Sequence, residues 1–262
     1  MAIELNLAGK RVLITGGSEG IGRAIAQKLA GEGCDLYLAA RTETRLNELQ
    51  GELAKSHGVD VGIFPLDLSI GANQIALAEK CSDADILVNS AGSIPIGTIE
   101  EVDNISWRQA WDLKVFSTIN LCREFYGFMK ARGAGVIVNI IGNGGERPVS
   151  NYVAGACGNA AVMALTRALG GDSHKDGIRV VGINPGPVAT EKLVAMMKKT
   201  ALDRFGDEEQ FEEFLAPFAF GRAATTEEIA DMAAFLASEK SAYTTGTIVT
   251  LDGGMIYKGP LF

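Results

Sequence analysis

The sequence predicts an α/β domain with a doubly wound, seven-stranded parallel sheet covered by helices on both faces, and three observations carry that prediction. Short β-rich runs alternate with stretches of helical periodicity along the chain, several runs are apolar throughout, and a glycine-rich turn joins the first run to the first helix. The β-rich runs fall at 11–15, 35–39, 59–64, 85–89, 135–141, 178–183 and 247–251. Continuous apolarity, as in Val-Ile-Val-Asn-Ile at 136–140, is the mark of a strand buried on both sides. Helical periodicity occupies 21–30, 44–55, 105–130, 160–169 and 227–237, which gives the crossovers that parallel strands need.

Bulk properties bound the function. The 262 residues carry no linker, low-complexity tract or internal repeat, so one domain over 1–262 is expected. Hydrophobic residues at 47% and charged residues at 21% predict a packed core, and a net charge of −8 offers no basic field for nucleic acid or an anionic membrane. No apolar run is long enough to span a bilayer, and Met1 to Lys10 lacks a signal-peptide pattern, so a cytoplasmic protein is expected. The four cysteines, Cys34, Cys81, Cys122 and Cys157, lack metal-ligand spacing and predict neither a metal site nor disulfides. Cys157, among small residues, is expected to be a core cysteine and not a nucleophile.

The chemistry-bearing motif is Thr15-Gly16-Gly17-Ser18-Glu19-Gly20-Ile21-Gly22, between the first strand and the first helix. Gly16 permits the tight turn, Gly20 lets backbone approach a pyrophosphate, and Gly22 allows close helix packing, while the helix N-terminus supplies free N–H groups. A dinucleotide is the ligand this predicts, with Ser18 and Ile21 in the same turn. At the end of the second strand Arg41 suits the 2′-phosphate of NADP, with NAD the alternative, while Glu19 would repel that phosphate.

The spacing Gly16-x-x-x-Gly20-x-Gly22 is followed in order by Asp67-Leu68, Asn89-Ser90-Ala91-Gly92, Asn184-Pro185-Gly186-Pro187-Val188-Ala189-Thr190 and Leu251-Asp252-Gly253-Gly254. This series resembles the short-chain dehydrogenase/reductase family and its Rossmann-type domain. The resemblance implies that Asp67, beside Leu68, meets adenine. It places Asn89, Ala91 and Gly92 along the ribose side, and Pro185, Gly186, Val188 and Thr190 around the nicotinamide end.

The family's catalytic Asn, Ser and Tyr-x-x-x-Lys would fall, by the same resemblance, on Lys114, Gly142, Gly155 and Asn159. Gly142 and Gly155 stand 13 positions apart, the family's interval, without the side chains. Tyr152 stands 7 residues before Asn159, and the segment from Gly145 to Tyr152 is similar to the matching piece of bacterial enoyl-acyl-carrier-protein reductases. The catalytic candidates are therefore Tyr152, Lys114 and Asn159, with Asn143 as a further polar group. Lys114 is expected to supply the missing cation from the facing helix, a surface lysine being the bland alternative. Asn159 also counts as a cofactor-binding candidate.

Two functions follow. One is an NAD(P)-dependent oxidoreductase with displaced catalytic groups, acting on an apolar carbonyl, alcohol or enoyl substrate. The other is an inactive dinucleotide-binding protein, or a subunit supporting an active partner. The stretch 188–224, with Met196, Met197, Phe205, Phe211, Phe214, Phe218 and Phe220, reads as a lid over such a substrate or as an ordinary helical pair. The resemblance further implies a homodimer or homotetramer through helices near 105–130 and 152–170 and the C-terminal strand, and the apolar tail Met255 to Phe262 suits burial within a subunit or against a neighbour.

Overall fold

The computed structural model describes residues 4–258. Seven strands form one sheet: β1 (Arg11–Thr15), β2 (Asp35–Ala40), β3 (Val61–Pro65), β4 (Ile86–Asn89), β5 (Gly135–Ile140), β6 (Ile178–Pro185) and β7 (Ile248–Leu251). Their spatial order is β3-β2-β1-β4-β5-β6-β7 and every neighbouring pair is parallel. The chain leaves β1 towards one edge and returns beside it at β4. The loops after β1 and β4 therefore diverge and open a crevice at the C-terminal ends of the strands.

The apolar strand runs have a geometric cause. Along β1, Val12 and Ile14 enter the core under α1 (Gly20–Gly31), α2 (Glu43–His57) and α8 (Thr226–Ala237), while Leu13 enters the core on the other face. That second core packs Leu77 of α3 (Gly71–Lys80) with Leu121 and Phe125 of α5 (Ser117–Arg132). A strand that feeds two cores has no side free for polar residues.

Several elements depart from expectation. The predicted 105–130 helix is α4 (Asn104–Trp111) and α5 joined by a π-helical turn, Asp112–Phe116. Ser117 Oγ donates to the Leu113 carbonyl at 2.5 Å and Thr118 Oγ1 to that of Lys114 at 2.7 Å, so hydroxyls bind carbonyls of the widened turn. The predicted 160–169 helix is the longer α6 (Val153–Asp172), whose glycines serve packing. A Cβ on Gly158 would stand 3.2 Å from Val115 and 3.3 Å from the Trp111 ring.

Helix α3 was not expected, since it buries only Gln74, Leu77 and Ala78 and its periodic signal is thin. Within 188–224 lie α7 (Glu191–Phe205) and short 3₁₀ turns, with Phe205 stacked on Phe214 at 5.8 Å. Cys157 is exposed, not a core cysteine, whereas Cys34, Cys81 and Cys122 are buried and desolvation pushes each thiol up to about 12. The tail assigned to 255–262 extends beyond the described residues after Lys258, as Met1 to Ile3 do at the other end. Among the described residues no helix is long and apolar enough to cross a membrane.

A buried polar ladder ties the sheet to α6. Asn89 Nδ2 donates to Asn139 Oδ1 at 2.9 Å, and Asn139 Nδ2 donates to Thr166 Oγ1 at 2.9 Å. Replacing Thr166 by Val keeps the shape and removes the acceptor, so Thr166→Val is expected to lower unfolding free energy by about 1–3 kcal/mol, read as a lower urea midpoint at unchanged slope.

Candidate active site

The crevice is built where β1 and β4 meet. Thr15, the last residue of β1, is 1% exposed, and its Oγ1 accepts the backbone N–H of Ser90 at 3.0 Å and of Ala91 at 3.1 Å. Gly16 follows with φ +67°, and a Cβ there would lie 3.0 Å from Ala91 Cα. A Cβ on Gly22 would lie 2.1 Å from the Gly16 carbonyl oxygen, so only glycine lets α1 start this close to the turn. The N-cap of α1, Glu19, makes no side-chain cap, which leaves the first N–H groups of the helix for a ligand.

Around this turn the predicted residues gather along the C-terminal edge of the sheet. Ser18 is buried in the turn, flanking Gly20 and Ile21, and Gly20, with φ +50°, would meet Thr190 Cγ2 at 3.1 Å through a Cβ. Thr190 itself caps α7 by accepting Leu193 N–H at 3.2 Å. Asp67 accepts both the N–H and the hydroxyl of Ser69, and the N–H bond first of all, with Arg41's charge assisting, holds its carboxyl below the usual range. Arg41 is exposed at the β2 end, and Pro185 and Gly186 close the far bank, Gly186 within 2.8 Å of Asp252 through a Cβ.

Three candidates turn inward instead. Leu68 and Val188 are buried, Leu68 among core side chains, and the Asn89 amide nitrogen is engaged by Asn139 and by Cys122 Sγ at 3.4 Å. Glu19 is not an open negative charge facing a phosphate: Arg45 holds it at 3.0 Å and stands 3.6 Å from Glu191. Thr15 and Arg45 were not among the predicted site residues. Thr15 had a signal in the motif itself, and Arg45 in its place four residues beyond Arg41.

At the other end of the groove Gly142, Gly144, Tyr152, Gly155 and Asn159 lie together. A Cβ on Gly155 would lie 2.0 Å from Tyr152 Cζ, so the Tyr152 ring occupies the space a side chain at 155 would take. A Cβ on Gly144 would lie 3.2 Å from the same ring, and Cβ atoms on Gly142 and Gly144 would lie 3.0 and 3.4 Å from Asn159 Nδ2. Asn159 is 2% exposed and its Oδ1 has no hydrogen-bond partner among the described residues. Burial raises the Tyr152 pKa.

Lys114 sits in the π-helical turn and points inward, against its reading as a surface lysine. Its stem lies against Gly92, where a Cβ would be 3.0 Å from Cδ, and its Nζ donates to the Ile141 carbonyl at 2.5 Å, one residue before Gly142. The residue as a whole is half-buried, but its ammonium is enclosed, and desolvation lowers its pKa to about 8. Asn143 donates to Asp252 Oδ2 at 3.2 Å, away from Tyr152. A cleft of about 420 Å³ lies to the side, lined by Phe218, Phe220, Arg222 and Met255. Among the described residues no group of three His, Cys, Asp or Glu is placed to hold a metal ion.

A dinucleotide fits the groove on two observations: the glycine cradle at 16–22 excludes any Cβ where backbone must approach, and the Asn159 Oδ1 is a buried, orphaned acceptor at the opposite end. This fold and groove define a dinucleotide-dependent α/β oxidoreductase class. A family model described as enoyl-(acyl carrier protein) reductase matches residues 16–256. Galactitol 2-dehydrogenase (L-tagatose-forming) of Cereibacter sphaeroides is 35% identical over 95% of this chain and 95% of its own length. Dehydrogenase/reductase SDR family member 6 of Rattus norvegicus is 31% identical over 95% of this chain and 98% of its own. L-sorbose reductase from Gluconobacter frateurii, solved with NADPH and L-sorbose, has a TM-score of 0.93 at 33% identity, covering 98% of this chain and 100% of that one. The chain belongs to the short-chain dehydrogenase/reductase family.

The lowered Lys114 pKa has a stability consequence of definite sign. Between about pH 8 and the ordinary value of 10.5 the unfolded chain holds a proton that the folded chain has released, so stability gains with rising pH in that window. Urea unfolding from pH 7.5 to 10.5 is expected to show this rise in the wild type relative to Lys114→Met. Parallel curves would contradict the enclosed ammonium.

Proposed function

We propose that this chain is an NADP-dependent reductase in which Tyr152 donates the proton, Lys114 supplies the nearby positive charge and Asn159 accepts a hydrogen bond from the nicotinamide ribose. The observation that carries the reading is the Tyr152 ring in the space left by Gly155: the phenol is displaced by three residues in sequence and returned to the same pocket. Arg41 at the β2 end, with Glu19 neutralised by Arg45, supports the 2′-phosphorylated cofactor. The neighbouring L-sorbose reductase structure with NADPH supports the same choice.

Bound NADPH would supply the hydride. Tyr152, with its pKa raised by burial, stays protonated at neutral pH and is a hydrogen-bond and proton donor to the oxygen of a carbonyl or enoyl thioester. The Lys114 ammonium, one carbonyl away from Gly142, favours negative charge developing on that oxygen. Asn159 offers an acceptor, where a lysine would offer a donor, so a ribose hydroxyl can donate to it. Ile96 and Val149 are exposed beside the Tyr152 segment, where Gly97 pairs with it, and Met196 is exposed on α7. These side chains support an apolar substrate and α7 as part of its lid.

The deciding experiment is NADPH oxidation with a panel of ketones, quinones, ketoses and enoyl thioesters, beside an NADPH binding titration. Tyr152→Phe is expected to lower kcat by about 10²–10⁴-fold with NADPH affinity retained. In the wild type the reduction rate is expected to fall as pH rises through about 8, where Lys114 loses its proton, and Lys114→Met removes that limb. Tight NADPH binding without turnover on any substrate would favour the inactive dinucleotide-binding protein instead.

A further inference from the structure

Helix α7 starts over the groove and its first two residues reach opposite banks. Its cap, Thr190, stands against Gly20 of the glycine-rich turn. Glu191 is 3.6 Å from Arg45, while Lys192 crosses to the loop after β4 and donates Nζ to Ser93 Oγ at 2.6 Å. Ser93 lies just beyond Ser90 and Ala91, the residues that Thr15 ties to the end of β1. The Lys192 ammonium therefore hangs over the seam between β1 and β4, which the diphosphate of a dinucleotide spans in a sheet of this topology.

Of the charges around it, the two carboxylates are taken by another cation and the Lys192 ammonium is left without one. Glu19 and Glu191 flank the turn and share one cation, Arg45. Lys192 has no carboxylate within ion-pair distance among the described residues, and its contact is a neutral hydroxyl. The α1 N-terminus opposite carries open N–H groups without a side-chain cap. Two faces that favour an anion thus look at each other across the groove, one of backbone dipoles and one of an ammonium without a carboxylate partner.

We propose that Lys192 is a cofactor-binding residue, whose ammonium leaves Ser93 Oγ for the diphosphate of the bound dinucleotide and so fastens the start of α7 across the groove. The assignment rests on the reading of the groove as an NADP site. A compact ammonium on a flexible stem suits this role, since it can follow the phosphate as α7 settles. The exposed position of Lys192 makes its replacement a small perturbation of folding.

The test is a fluorescence titration of NADPH, with 2′-AMP as a competitor that carries the 2′-phosphate and no diphosphate. Lys192→Met is expected to raise the NADPH Kd about tenfold, to leave that of 2′-AMP within about twofold, and to keep the wild-type Tm. Lys192→Arg should recover most of the loss, and Ser93→Ala, which frees the ammonium, should leave NADPH binding unchanged or tighter. An unchanged NADPH Kd in Lys192→Met would overturn the proposal, as would an equal loss for both ligands. An unchanged NADPH Kd with a raised KM for an anionic substrate would move Lys192 to the substrate. Failure of the wild type to bind NADPH would overturn the groove reading and this assignment with it.

Discussion

The Thr15 hydroxyl, buried at the end of β1 and accepting two N–H groups from the loop after β4, joins the two strands whose connections run in opposite directions. Without that junction the crevice would have no fixed floor. With it, Gly16 leaves no room for a Cβ beside Ala91, α1 begins directly behind the turn, and Gly92 is set against the Lys114 stem. Each later feature depends on this seam: the exposed helix N-terminus on one side of it, and the cluster of Lys114, Gly142, Asn159 and Tyr152 at its end.

In that cluster glycines leave space that side chains from neighbouring positions fill. Gly155 leaves room, and Tyr152 takes it from the N-cap position of α6. Gly142 leaves room beside Asn159, and a positive charge reaches this end of the groove on Lys114, brought inward by a π-helical turn. Burial then acts in opposite directions on the two groups, raising the Tyr152 pKa and lowering that of Lys114, because in each case the charged form is disfavoured. The two pKa values move apart in the sense that leaves the phenol neutral as a donor while the amine titrates close to neutrality.

The fold was legible in the sequence because a strand buried on both faces must be apolar throughout, and the glycine turn announced where the groove lies. Less was legible in the helices. Gly155 makes room for Tyr152, three residues before it, and Gly158 for Val115 and Trp111, which are distant in sequence, and only the folded chain supplies these contacts. The π-helical turn was hidden for the same reason, although Ser117 and Thr118, which cap its carbonyls, were visible as a pair. The groove's charge balance was misread at Glu19, since the pairing with Arg45 joins a loop to a helix that periodicity alone does not orient.

The central claim is that Tyr152 has taken over the pocket above Gly155 as the donor to substrate oxygen. A crystal structure of the protein with NADPH and a carbonyl-containing inhibitor tests it most directly. The account predicts the dinucleotide along the seam from Gly20 to Asn159, with the inhibitor oxygen within about 2.6–3.2 Å of the Tyr152 hydroxyl. A dinucleotide in the groove with that oxygen bound to another donor, and the Tyr152 ring turned away, would contradict it.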